Sequence, residues 1–201
     1  MLALFYDTET TGFPLFHEPS EDPRQPHIVQ LAAALVDLQT RQIVSSMDAI
    51  VYPDGWEIPP DVSAVHGITT EYARQVGIGE TLALNMFLGL HCGRPRIAHN
   101  EQFDARIIRI ALKRYPGLSD PDAWKGGASE CTQRLSTPIL KLPPTPKMLA
   151  AGRNHPKSAN LGEAYKHFTG KELLGAHNAL VDVHACMAVY FAIRDAQQVA
   201  A

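Results

Sequence analysis

Asp7 and Glu9 stand two residues apart at the end of the apolar run Leu2–Asp7. Side chains two apart on a strand project to the same side, so the two carboxylates converge. Like charges held together repel and raise a pKa unless a cation neutralises them. Oxygen-only donors suit hard ions such as magnesium or manganese. Alone the pair is weak evidence, because solvated acids at a strand end are common. Asp104 adds a third acid, four residues after Asn100 and just inside an expected helix, where the helix dipole favours negative charge. Taken singly, an ordinary first-turn aspartate is the plainer reading. Asp182 lies between Val181 and Val183 in an otherwise apolar stretch, where burial without a partner is costly. Metal ligation explains it, and a water-exposed helix rim competes. His177 falls at or just before the start of the same expected helix. Imidazole, with an unperturbed pKa of about 6.5, suits a general base beside a metal; a capping or merely exposed histidine is the competing reading.

These residues need elements to position them. Leu2–Asp7 reads as a buried strand ended by Thr10-Thr11-Gly12, and the proline-rich stretch 13–27 as an exposed loop. Ile28–Val36 and Gln42–Val51 read as further strands, pairing like hairpins with the first. Pro53–Asp61 is a connection, Val62–Gly77 a short helix and turn, and Glu80–Leu90 a helix with the apolar stripe Leu82, Met86, Phe87 and Leu90. Pro95–Ala98 is a short strand ending at His99-Asn100, and such strand ends are where open α/β sheets place ligands. Phe103, Ile107, Ile110 and Ala111 mark a helix that Pro116-Gly117 stops. A short strand is expected near Ser129–Leu135. Residues 136–157, with five prolines, form the longest irregular stretch, a flap or substrate-facing loop. Leu161–Phe168 and Ala179–Ala196 are the last helices, with a break at Thr169-Gly170. Strands clustered first, then helices alternating with strands, predict an α/β fold: a mixed central sheet flanked by helices.

Composition bounds the rest. A chain of 201 residues predicts one domain, residues 1–198, followed by a short tail, 199–201. At that size about 70% of the unfolded surface can be buried, so a metal would serve chemistry rather than folding. The charge is −3, from 18 basic and 21 acidic residues. A protein holding nucleic acid mainly by counterion release would be basic; the composition permits nucleic acid without suggesting it, and if nucleic acid is the ligand, phosphate must be attracted locally, for instance by carboxylates loaded with cations. Cys92, Cys131 and Cys186 are widely spaced and contain no CxxC pair; buried reduced thiols in a cytoplasmic protein are the expectation. The start MLALFYD lacks a signal peptide's basic region and cleavage site, and no apolar run approaches membrane-spanning length.

The motifs decide the matter by their order. FYDTETTG, then His66-Gly67-Ile68, then HNEQFD at 99–104, then HNALVD at 177–182 resemble the DEDDh, or DnaQ-like, 3′–5′ exonucleases of the ribonuclease H-like superfamily. The likeness spans roughly residues 2–195. It implies that Asp7, Glu9, Asp104 and Asp182 hold two divalent ions, magnesium or manganese, and that His177 takes the proton of the attacking water. It further implies that a 3′-terminal nucleotide leaves as a 5′-monophosphate. Thr10, Thr11 and Gly12 would approach that nucleotide; Asn100 and Phe103 resemble substrate-side residues, and His66 is placed there too. One departure lies outside this set: Cys131-Thr132 stands where many relatives carry Asp-Thr. The favoured substrate is the 3′ end of single-stranded DNA, with a polymerase or other replication or repair partner left open. An exoribonuclease of the ribonuclease T or oligoribonuclease type is the alternative, since nothing in the motifs reads a 2′-hydroxyl. An inactive binding module ranks last, because no acid and no histidine of the set is lost.

Overall fold

The first strand, β1 (Leu2–Thr10), is apolar on both sides through Tyr6, which requires it to lie centrally with helices on both faces. In the computed structural model, which describes residues 1–199, it does. It pairs antiparallel with β2 (Ile28–Asp37), which pairs antiparallel with β3 (Ile43–Ile50). On its other side β1 runs parallel to β4 (Arg96–Ala98), and β4 to β5 (Ser129–Cys131). The sheet order is β3-β2-β1-β4-β5, the expected mixed sheet. Residues 200 and 201, part of the expected tail, lie outside the described residues.

Helices complete the two layers. Between β3 and β4 come α1 (Pro60–His66), α2 (Thr70–Val76) and α3 (Glu80–His91). Between β4 and β5 come α4 (Glu101–Arg114) and α5 (Pro121–Gly126); after β5 come α6 (Thr132–Leu140), α7 (Pro146–Ala150), α8 (Leu161–Thr169) and α9 (Ala179–Val199). Leu4, Tyr6, Leu31 and Ala33 pack against Leu84 and Phe87 of α3 and Ile107, Ile108 and Ala111 of α4. Ala3, Phe5, Ala32 and Ala34, on the opposite face, pack against Ala179, Val183, Cys186 and Tyr190 of α9. Each large side chain so buried contributes about 1.5–3 kcal/mol. The alternation along β1 therefore sends Asp7 and Glu9 to the α9 face and Thr8 to the α4 face.

Several local expectations are corrected. The strand near 129–135 is only three residues long, because β5 pairs with three residues of β4 and the chain turns into α6 at once. Thr132, Leu135 and Ser136 then recur at helical spacing, facing inward or half-buried. The stretch 136–157 is not wholly irregular: α6 runs to Leu140 through Pro138, and Thr145 caps α7 by accepting from the Met148 amide at 3.2 Å. Helix α5 was not expected, although Asp120 as N-cap with Pro121 at the first helical position is a start signal. Val62–Gly77 holds parts of two helices, split at Gly67, whose φ is 77°. The loop 13–27 is not all exposed. Gln25 is buried and accepts from the Leu15 amide while donating to the Leu15 and Pro19 carbonyls. Of the cysteines only Cys186 is buried; Cys131 is half-buried and Cys92 exposed. No helix among the described residues is long and apolar enough to cross a membrane.

Candidate active site

The carboxyl ends of β1 and β4 and the starts of α4 and α9 meet at one cleft of about 340 Å³, within the range of small-molecule sites. Asp7 and Glu9 enter from β1, opposite Ala32 and Gln30 of β2. Thr8, between them, reaches the other way and holds Asp104 of α4. Its hydroxyl donates to Asp104 Oδ1 at 2.7 Å and its amide to the same oxygen at 3.0 Å. One strand thus supplies two acids and fixes a third.

The first turn of α4 is pinned beneath the site. Asn100 caps the helix in the left-handed region, φ 62°, which Asn tolerates better than most residues. Buried Arg96 donates from Nε to Glu101 Oε1 at 2.7 Å and from Nη1 to the Trp124 carbonyl at 2.6 Å, with its guanidinium over the Trp124 ring. The Tyr6 hydroxyl adds a donor to Glu101 at 3.3 Å. Removing one partner of a buried pair of this kind costs about 3–5 kcal/mol. The pair fixes the turn that presents Asp104.

Helix α9 is anchored at its start by Gln30, whose Oε1 accepts from the Ala179 amide at 3.1 Å while its Nε2 donates to Asp48 at 2.7 Å. His177 precedes the helix with φ 66°, and its amide donates to Asp182 Oδ2 at 3.0 Å. The other oxygen, Asp182 Oδ1, is buried with no hydrogen-bond partner among the described residues. Potential ligand atoms of Glu9, His177 and Asp182 lie within 4.8 Å of one another.

Burial and mutual repulsion dominate the electrostatics of the acid cluster. Burial, then the charges of Asp104, Asp182 and Glu9, pushes the Asp7 carboxyl well above its ordinary range. Burial and then Asp182 push Glu9 up to about 7. Asp104 rises to about 8 by burial, against the opposing hydrogen bonds from Thr8. Asp182 is raised by burial, partly offset by the His177 amide. A divalent cation fits these residues: the donors are hard oxygens, one is buried and unpartnered, and the summed charge is otherwise uncompensated.

Thr10, Gly12, His66, Asn100 and Phe103 line the same cleft as the four acids and His177. Thr11 does not. Its hydroxyl accepts from the His27 amide at 2.9 Å and its own amide donates to the His27 carbonyl at 3.0 Å, closing the base of the 13–27 loop. His66 Nδ1 accepts from the Ile68 amide at 3.1 Å, so the proton resides on Nε2, which has no partner among the described residues. Burial and nearby His177 hold its pKa below the usual value. His99 is a structural pin: Nε2 donates to the Ala159 carbonyl at 3.0 Å and Nδ1 meets the Thr132 hydroxyl at 2.9 Å. Sequence reasoning missed Thr8, Gln30 and Phe13. Phe13 is 81% exposed at the cleft mouth, edge-on to Phe103 at 6.0 Å between ring centroids. An aromatic directly after a turn glycine was the only signal available.

Comparison with known proteins agrees with this architecture. The model of an exonuclease family that bears the name of ribonuclease T matches residues 4–190. The chain belongs to that family and so to the DEDDh exonucleases of the ribonuclease H-like superfamily. It is 32% identical over 136 residues to a DNA polymerase III of PolC type from Thermotoga maritima, covering 68% of this chain and 9% of that one. The PolC-type polymerase of Thermotoga petrophila is 33% identical over 112 residues, covering 56% and 7%. The chain therefore spans less than a tenth of the length of these relatives. Among solved structures it resembles E. coli exonuclease I in complex with a dT13 oligonucleotide, with a TM-score of 0.75 and 21% identity over 98% of this chain and 42% of that one. Exonuclease I of Methylocaldum szegediense gives a TM-score of 0.74 and 23% identity over 98% and 41%. At such identities the likeness establishes the fold.

Proposed function

We propose that the chain is a divalent-metal-dependent 3′–5′ exonuclease that removes nucleoside 5′-monophosphates from single-stranded DNA. The observation that carries this reading is the convergence of Asp7, Glu9, Asp104 and Asp182 on one cleft, with Asp182 Oδ1 buried and without a partner among the described residues. These four residues would hold two ions, magnesium or manganese, which supply Lewis acidity at the scissile phosphate. His177, beside Glu9 and Asp182, takes the proton from the attacking water. Thr8 keeps Asp104 in place, and Gln30 keeps the start of α9, with Asp182, against the sheet face beside β1. The His66 Nε2 proton and the Phe13–Phe103 pair face the terminal nucleotide, the first as a donor and the second as an apolar wall. Thr10, Gly12 and Asn100 complete that wall.

DNA is favoured because the relatives at 32–33% identity are DNA polymerases and the exonuclease I structures hold DNA oligonucleotides. The same relatives support a replication or repair setting. The test offers matched single-stranded DNA, duplex DNA and RNA with magnesium or manganese and identifies the products by chromatography. Nucleoside 5′-monophosphates, released fastest from single-stranded DNA, are expected. Nucleoside 3′-monophosphates would overturn the mechanism, and faster release from RNA would make the chain an exoribonuclease.

A further inference from the structure

The chain is acidic overall, yet residues 131–162 contain Arg134, Lys141, Lys147, Arg153 and Lys157 and not one Asp or Glu. That segment carries a net +5, against −8 for the remainder. Lys157 is paired with Glu163. Arg134, Lys141, Lys147 and Arg153 are exposed and have no carboxylate partner among the described residues. Elsewhere Arg24, Arg41, Lys113, Lys166 and Arg194 each sit on a carboxylate, while the exposed cations Lys125 and Lys171, unpaired among the described residues, stand among acidic neighbours in sequence rather than in an acid-free stretch. Charges of one sign gathered without partners repel one another, a cost that a polyanion would relieve.

The segment is ordered and joined to the cleft. The Lys157 amide donates to the Leu142 carbonyl at 3.2 Å, closing residues 142–157 into an arch, and Arg153 donates from its amide to Met148 at 2.9 Å. The returning limb is fastened at Ala159, whose amide donates to Thr137 at 3.2 Å and whose carbonyl accepts from His99 at 3.0 Å. His99 and Leu161 are both walls of the cleft. Arg134 lines a groove with Pro156 and Ser158, one residue short of that fastening.

We propose that this arch is the track for the substrate backbone: Arg134, Lys141, Lys147 and Arg153 bind the phosphates of nucleotides upstream of the 3′ end. The proposal rests on the exonuclease reading of the cleft. The cleft's own carboxylates repel phosphate until cations neutralise them, so a permanent attraction has to come from elsewhere on the surface. Contacts to phosphate carry no sequence information, so the track would serve any base sequence.

The test measures binding of a fluorescent oligothymidylate of about twenty nucleotides, in chelator, across a salt series. Wild type is compared with the Lys147→Ala/Arg153→Ala double variant and with Arg134→Ala, after matched thermal melts establish folding. Each phosphate contact on a single strand contributes about 0.7 to the slope of log affinity against log salt, so the double variant is expected to lose about 1.4. Affinity at low salt should fall on the order of tenfold, as for loss of two charged contacts. A slope and affinity equal to wild type in both variants would overturn the track. Wild-type turnover of the p-nitrophenyl ester of thymidine 5′-monophosphate, together with the oligonucleotide, reports the cleft itself. If wild type hydrolyses neither, the exonuclease reading fails; if it hydrolyses both and the variants bind as tightly, only the track fails.

Discussion

Thr8 gives Asp104 both of its donors, hydroxyl and amide, at 2.7 and 3.0 Å, and both fall on the same carboxylate oxygen. The bond ties α4 to β1 at the depth of the site and orients the third acid against the first two. Thr8→Val keeps the shape and the amide bond but removes the hydroxyl. With Asp104 as a metal ligand, as proposed, loss of such a supporting contact costs about 10–100-fold in metal affinity or activity. Magnesium titrations of Thr8→Val activity should show that loss; a half-saturating concentration and kcat equal to wild type would leave Thr8 without this role.

His177 sits at φ 66° and holds Asp182 through its backbone amide, so replacement must respect both. Asn tolerates that backbone region and cannot serve as the base. His177→Asn is expected to lower kcat by about 10²–10⁴, the usual worth of a positioned base, with little change in manganese affinity by calorimetry. Manganese affinity falling as far as kcat would make the imidazole a ligand instead.

The metal-free protein should lose stability as the pH rises. Burial pushes Glu9 up to about 7 and Asp104 up to about 8. Raised values mean that the folded state binds these protons more tightly than the unfolded chain. Their contribution is complete below the ordinary carboxylate range near pH 4 and is lost as the pH climbs through about 7 and 8. His99, held down to about 4 by burial, acts in the opposite direction: its contribution is complete above about 6.5 and is lost as the pH falls toward 4. Melting in chelator should therefore give a Tm that declines from about pH 6.5 to 8, with magnesium restoring more at the upper end. In Asp104→Asn the decline should be shallower. A Tm independent of pH and magnesium over that window would count against the uncompensated acid cluster.

Phe13 is expected to matter for binding more than for chemistry. Base–aromatic stacking is worth about 1–3 kcal/mol per base, so Phe13→Ala should raise KM for an oligonucleotide about five- to a hundredfold while kcat changes less. An unchanged KM would remove Phe13 from the substrate wall.

The parts of this molecule legible in the sequence are those whose cause is local. The doubly apolar β1 and β2 announce a central sheet position, and the acids with His177 are set out in order along the chain. What was hidden depends on tertiary partners. Thr8 looks like a spacer between two acids until α4 brings Asp104 to it. Gln30 looks like a polar interruption of β2 until α9 starts beside it. Only the first turn of α6, Thr132–Leu135, reads as strand, because β5 passes straight into it and Thr132 and Leu135 suit either state; the rest of α6 reads as irregular because Pro138 and the prolines after it mask the helix. The short α5 and α7 begin with Asp120-Pro121 and Thr145-Pro146, start signals that were present but too brief to carry periodicity.

If Asp7, Glu9, Asp104, Asp182 and His177 form a metal-loaded cleft, the protein consumes DNA from its 3′ end. The most direct measurement follows a single-stranded DNA labelled at its 5′ end, with its 3′ end either free or blocked, in magnesium and in chelator. Wild type should shorten the free-ended strand stepwise while the label stays on the longer products. It should stall on the blocked strand and in chelator, and Asp7→Asn should be inert throughout. Early release of the label as a mononucleotide would mean attack from the 5′ end, and undiminished digestion in chelator would mean hydrolysis without a metal; either rules this mechanism out.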